Sequence, residues 1–79
     1  MFWVYVLRSE KTGRRYVGQC EHLDIRLLQH NSGQTKSTRY QRPWVLIHQE
    51  RFASRTEAVQ RERFLKSGQG REWLDREAF

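Results

Sequence analysis

The chain has a single cysteine, a single proline, a single methionine and no long apolar run in its 79 residues. Each scarcity excludes something. A lone Cys20 rules out an intramolecular disulfide and any Cys-rich zinc site. A helix that spans a bilayer needs about 20 consecutive apolar residues, and no segment approaches that. Residues 1–7 are apolar, but no charged segment precedes them and no cleavage site follows, so they read as a strand and not as a signal peptide. No P-loop, GxGxxG pattern or nucleophile elbow is present. The expectation is a cytoplasmic monomer with no membrane contact.

Positive charge is plentiful. Net charge is +6, and twelve of the fifteen basic residues are arginine, whose planar fork suits phosphate. Residues 1–53 carry nine basic groups against four acidic ones. The densest stretch, with Lys36, Arg39 and Arg42 and no acid, marks a polyanion surface, with nucleic acid the foremost partner; the plain alternative is an inert solvated face. A chain this short makes one domain, residues 1–79, and buries about 60% of its unfolded surface. Aromatics reach 13%, and Trp3, Trp44, Trp73, Phe2, Phe52 and Phe64 are expected to form the bulk of the core.

Local patterns place the elements. Phe2–Leu7 and Arg15–Cys20 read as strands by β-branched and aromatic content, joined by a turn at Glu10-Lys11-Thr12-Gly13. If that turn pairs Glu10 with Gly13, Tyr5 lies opposite Gly18 and Tyr16 is its diagonal neighbour on the same face. Leu23–Asn31 reads as a helix with Leu23, Leu27 and Leu28 inward, stopped at Asn31-Ser32-Gly33. Gln34–Arg42 is a basic loop, and Pro43 precedes a third strand over Trp44–Ile47, extending to about Arg51. Ser54-Arg55-Thr56-Glu57 is a capping box that starts a helix over Arg55–Lys66. Ser67–Gly70 breaks it, and a short helix over Arg71–Ala78 follows, docked by Trp73 and Leu74. The order is ββαβαα: a small α/β domain with a three-stranded, mostly antiparallel sheet flanked by helices.

Five polar residues stand out. Tyr5 and Tyr16 are either cross-strand packing or phenols that touch water or phosphate, and a phenol of pKa about 10 needs a nearby cation to act as a base. Arg26 and His30 lie four apart on one helix face. They are either a solvated flank or a phosphate clamp beside a proton acceptor. Glu62 falls within the stripe Ala58, Val59 and Leu65. A carboxylate there needs a partner: Lys66 four residues on, a neighbouring arginine, or a hard divalent cation such as Mg2+.

In this order the residues resemble the GIY-YIG nuclease superfamily. Val4-Tyr5-Val6 and Tyr16-Val17-Gly18 stand at its two name motifs; the first keeps only the tyrosine, and the second exchanges Ile for Val. Arg26-Leu27-Leu28-Gln29-His30-Asn31-Ser32-Gly33 is similar to its Arg-x₃-His helix, and Glu57-Ala58 through Lys66 to its metal-glutamate helix. Lys66-Ser67-Gly68 followed by Gly70-Arg71 looks most like the small stand-alone branch, related to structure-specific nucleases and to the N-terminal nuclease of the bacterial excinuclease. The resemblance implies one divalent ion, Mg2+ or Mn2+, on Glu62, with Arg26 on the scissile phosphate. It implies Tyr16 as water activator, His30 as proton acceptor and Tyr5 as a positioning phenol, with Asn31 and Lys66 as secondary contacts. The implied activity is metal-dependent hydrolysis of DNA, structure-directed or weakly sequence-specific, in repair or recombination. RNA as substrate, a non-catalytic nucleic-acid-binding module and a subunit that depends on a protein partner are the competing readings.

Overall fold

In the computed structural model, which describes residues 1–77, a Ser9-centred turn sets the hairpin. The Ser9 hydroxyl accepts from the amides of Lys11 (3.1 Å) and Thr12 (3.0 Å), and Gly13 takes φ 78°. The turn joins β1 (Phe2–Ser9) to β2 (Arg15–Cys20). Their antiparallel register pairs Tyr5 with Gly18 and Leu7 with Tyr16, as the turn chemistry predicts. Then come α1 (Leu23–Ser32), a 3₁₀ turn at Arg39–Gln41, β3 (Trp44–Phe52), α2 (Arg55–Lys66) and α3 (Gly68–Arg76). The sheet order is β2-β1-β3, all antiparallel, with a bulge opposite Val6 and Leu7. Among the described residues no helix is long and apolar enough to cross a membrane.

Strand alternation splits the core in two. Val4, Val6 and Val17 face α2 and α3, where they meet the buried Ala58, Leu65 and Leu74. Tyr5, Leu7 and Trp44 face the other way, with Leu23, Leu27 and Leu46 packed against them. Burying one such leucine contributes about 1.5–3 kcal/mol. The aromatic core expected from composition is corrected: Trp44 is buried, but Phe2, Trp3, Phe52, Phe64 and Trp73 stay partly exposed. The molecule is only 17 Å thick, so small aliphatics fill the centre and large rings roof its edges. Leu28 is also corrected. It is 69% exposed, because α1 leans on Leu23 and Leu27 and turns Leu28 outward.

The helix ends follow their caps. Gly33 stops α1 at φ 86°, its amide bonded to the Gln29 carbonyl. Ser54 caps α2 by accepting from the Glu57 amide (3.2 Å) while its hydroxyl donates to the Glu57 carboxylate (2.9 Å). The expected break over Ser67–Gly70 shrinks to one residue. Ser67 closes α2 through its amide on the Phe64 carbonyl and opens α3 by accepting from the Gly70 amide (3.2 Å). α3 therefore begins at Gly68, three residues early, and the expected end at Ala78 lies outside the described residues.

Candidate active site

On the α1 side of the sheet, Tyr16 and His30 gather around Tyr5. The Tyr5–Gly18 register leaves open space over β2, and the phenol fills it: a Cβ on Gly18 would lie 2.5 Å from the Tyr5 hydroxyl. Tyr16 stands diagonally across, with ring centroids 6.4 Å apart. His30 comes from the last turn of α1 and is completely buried. Its Nε2 lies 3.0 Å from the Tyr5 hydroxyl, and its Nδ1 lies 2.8 Å from Thr38 Oγ1. The Thr38 hydroxyl in turn points to the Thr35 carbonyl at 3.3 Å. With that proton spent, Thr38 accepts from Nδ1–H, and Nε2 is left to accept from the Tyr5 O–H. Tyr16 touches His30 edge-on, at 4.9 Å between centroids. The hydrogen bond thus goes to Tyr5 and not to Tyr16, and His30 is not part of a solvated flank.

Burial sets the proton states. It pushes the Tyr5 phenol well above its ordinary value; the Tyr16, Cys20 and Glu62 charges add to this, and Arg26 opposes it. Burial also pushes the His30 imidazolium down from 6.5, and the Arg26 cation pushes the same way. The pair is therefore a neutral phenol donating to a neutral imidazole near pH 7.

This depressed imidazole has a measurable consequence. Its stabilising effect is present above the unfolded value of 6.5 and is lost as pH falls, because the unfolded chain takes up the proton first. Thermal stability should therefore decline between pH 7 and pH 5, and His30→Gln, which does not titrate, should flatten that decline. Melting curves across this range check it; an equal slope in both proteins would refute it.

Arg26 and Glu62 approach from opposite faces of the sheet. Arg26, half-buried on α1, lies in a cleft of 430 Å³ with Gln19, Cys20, Gln29 and Arg55. In this cleft's wall the Gln19 Oε1 is buried and accepts no hydrogen bond among the described residues. The Arg26 charge is felt by Tyr5, Cys20 and His30. Glu62 is within electrostatic reach of Tyr5, with its side chain 19% exposed. It pairs with Lys66 Nζ at 2.9 Å, the ordinary i,i+4 partner its spacing allowed. Tyr16 and Lys66 line a second, larger cleft of 690 Å³, together with Arg15, Gln41 and Arg71. Tyr5, Tyr16 and His30 are thus in direct contact, and Arg26 and Glu62 act on Tyr5 through their charges.

The secondary residues fare differently. The Asn31 amide clamps β3, donating to the Trp44 carbonyl (3.0 Å) and accepting from the Trp44 amide (2.6 Å). Lys36 is exposed. Arg42 Nε donates to the Arg39 carbonyl (2.7 Å), and its guanidinium lies against Gly33. Arg39 stacks on Tyr40, with Cζ 5.1 Å from the ring centroid. These three belong to the segment between α1 and β3 and do not touch Tyr5. Thr38 was missed by sequence reasoning. It is 1% exposed and holds His30 from a stretch that reads as a polar loop; a small hydroxyl eight residues past a histidine carries no local signal.

A single partly buried carboxylate, Glu62, fits a hard cation of the Mg2+ type, which keeps most of its waters. Among the described residues no group of three or more His, Cys, Asp or Glu side chains offers a denser metal cage. One Glu62 oxygen is held by Lys66, and the other accepts no hydrogen bond among the described residues.

Comparison with known proteins identifies the family. The GIY-YIG catalytic domain profile matches residues 1–73. A UPF0213 protein of Staphylococcus saprophyticus is 35% identical over 66 residues, covering 82% of this chain and 79% of the relative. Its counterpart in Staphylococcus haemolyticus is 36% identical over the same length and coverage. The solution NMR structure of a UPF0213 protein from Bacillus halodurans superposes with a TM-score of 0.57 at 33% identity, covering 94% of this chain and 82% of that one. With motif order, fold and relatives in accord, the chain belongs to the GIY-YIG family, a nuclease superfamily, alongside the UPF0213 proteins.

Proposed function

We propose that the protein is a metal-dependent endonuclease that hydrolyses phosphodiester bonds in DNA. It acts as a monomer in the cytoplasm, in repair or recombination, and recognises structure more than sequence. The observation that carries this reading is the convergence on Tyr5: hydrogen-bonded to His30, in ring contact with Tyr16, and within electrostatic reach of Arg26 and Glu62.

Each group has a role its surroundings suit. The Arg26 fork binds the scissile phosphate and stabilises its charge as water attacks phosphorus in line. Glu62 holds the divalent ion, which when bound supplies further positive charge at the phosphate. Tyr5, kept protonated by burial, passes a proton from the attacking water to His30 Nε2, which is neutral and able to receive it. Tyr16, on the larger cleft, orients the water. The leaving oxygen takes a proton from solvent as the P–O bond breaks. The hydrogen bond from Tyr5 to His30 favours this relay over one that starts at Tyr16.

The test is nicking of plasmid and branched DNA with Mg2+ or Mn2+ added back after chelation. Cleavage should require the ion and should vanish in Glu62→Ala. Equal cleavage by wild type and Glu62→Ala would indicate a contaminant and overturn the assignment. The Glu62–Lys66 pair supports a second reading, a nucleic-acid-binding module that does not cut. It predicts salt-sensitive binding with no cleavage under any metal.

A further inference from the structure

Tyr40 is an aromatic ring that the fold positions but does not cover. It is 73% exposed, more than any other large apolar or aromatic side chain among the described residues. Yet its backbone is held firmly. Its carbonyl accepts from Lys11 Nζ (3.2 Å). The next residue is fixed to the hairpin turn, with Ser9 Oγ donating to the Gln41 carbonyl (2.6 Å) and Thr12 Oγ1 donating to Gln41 Oε1 (3.0 Å). On the other side, the Thr38 carbonyl accepts from Trp44 Nε1 (2.9 Å) and from the Gln41 amide (3.1 Å). The 3₁₀ turn Arg39–Gln41 is therefore a rigid mount and not a loose loop tip.

Charge surrounds the ring. The Arg39 guanidinium stacks on it, and Arg39 Nε, shielded from solvent, makes no hydrogen bond among the described residues. Lys36 and Arg42 share the segment, and no acidic residue occurs between Asp24 and Glu50. Gln41, the adjacent residue, lines the same cleft as Tyr16 and Lys66. A planar cation stacked on an exposed ring at the rim of a basic cleft matches the surface on which single-stranded nucleic acid is held.

We propose that Tyr40 and Arg39 form a stacking platform for one unpaired DNA base next to the cleft. This deepens the nuclease reading and rests on it. A base splayed out at a fork, flap or loop would stack on the ring while its phosphates follow the basic segment. Stacking is tolerant of base identity, so the platform selects unpaired structure and not sequence. A rigid ring also loses little conformational freedom on binding.

The test uses the full chain without divalent metal, so that nothing is cut. A DNA hairpin carrying 2-aminopurine in a single-stranded overhang is compared with a blunt duplex of the same stem, for wild type, Tyr40→Ala and Tyr40→Phe. Wild type should quench the overhang fluorescence. Tyr40→Ala should lose the quench and bind the overhang about 10-fold more weakly, with blunt-duplex affinity unchanged. Tyr40→Phe should retain both. Equal weakening on the two DNAs, equal loss in Tyr40→Phe, or no quench with wild type would overturn the platform. If wild type still nicks DNA in that event, only the platform falls; if it binds neither DNA, the nuclease reading falls with it.

Discussion

Arg26→Ala should slow DNA nicking by about 100- to 1,000-fold, the usual consequence of removing one group that stabilises developing charge in a reaction. The expectation follows from where the guanidinium lies. It sits half-buried in a cleft wall, and its charge reaches Tyr5, Cys20 and His30, with burial the larger influence on the proton affinity of each. Its removal has two separable effects. On the proposed role the phosphate loses its clamp, which lowers the cleavage rate. His30 loses a neighbouring cation that pushes its pKa down, so its proton affinity should rise and the decline in stability below pH 7 should shallow. Folding itself should persist, because the buried apolar clusters do not include Arg26. Arg26→Lys keeps the charge but loses the bidentate fork, and should recover only part of the rate. Nicking rates with melting curves from pH 5 to 7 check both effects. An Arg26→Ala protein that nicks within twofold of wild type would remove Arg26 from the site.

The outcome separates what local sequence encodes from what it leaves out. The hairpin register was legible because Gly13 and the residues before it specify a turn within a few positions, and the turn then dictates that Tyr5 faces Gly18. The bounds of α2 and the stop of α1 were legible for the same reason, through Ser54 and Gly33. The aromatic core was not. Whether Phe64 or Leu65 is enclosed depends on the thickness of the layers and not on hydrophobicity alone, and here the leucine is enclosed. The start of α3 was missed because Ser67 serves two helices at once, which a reading of one cap per break does not anticipate. In the site, residue types in order singled out Tyr5, Tyr16 and His30, which the fold puts in contact, and Arg26 and Glu62, whose charges reach Tyr5. The partner of His30 escaped because Thr38 reaches it by chain folding, from a segment with no periodicity of its own. The same segment hid Tyr40 among charges.

Gly70→Ala should be the most damaging single-methyl change in the chain. A Cβ there would lie 2.0 Å from the Phe64 carbonyl oxygen, 2.5 Å from Leu65 Cα and 2.7 Å from the Phe64 carbonyl carbon. All three are backbone atoms at the end of α2, so no flexible side chain can swing aside. The bare glycine is what lets α3 turn back from the single residue Ser67 and dock against the helix it has just left. With a methyl in place α3 must lift away. Leu74, wholly buried against the same cluster as Leu65, Val4, Val6 and Val17, would be uncovered with it. The Arg15–Asp75 ion pair (2.7 Å), which ties α3 to β2 beside the larger cleft, would be pulled apart. Overpacking of this kind costs about 3 kcal/mol. In a domain of this size each kcal/mol lowers Tm by about 4–8 °C. A loss of roughly 12–24 °C is therefore expected. Gly68→Ala supplies the control: a Cβ there would meet nothing within 4 Å, so it should be neutral or mildly stabilising. The two variants add the same methyl two residues apart in one helix, so helix propensity cannot account for opposite results. Calorimetry on both decides the matter, and a Gly70→Ala protein that melts with wild type would show that α2 and α3 are not packed through Gly70.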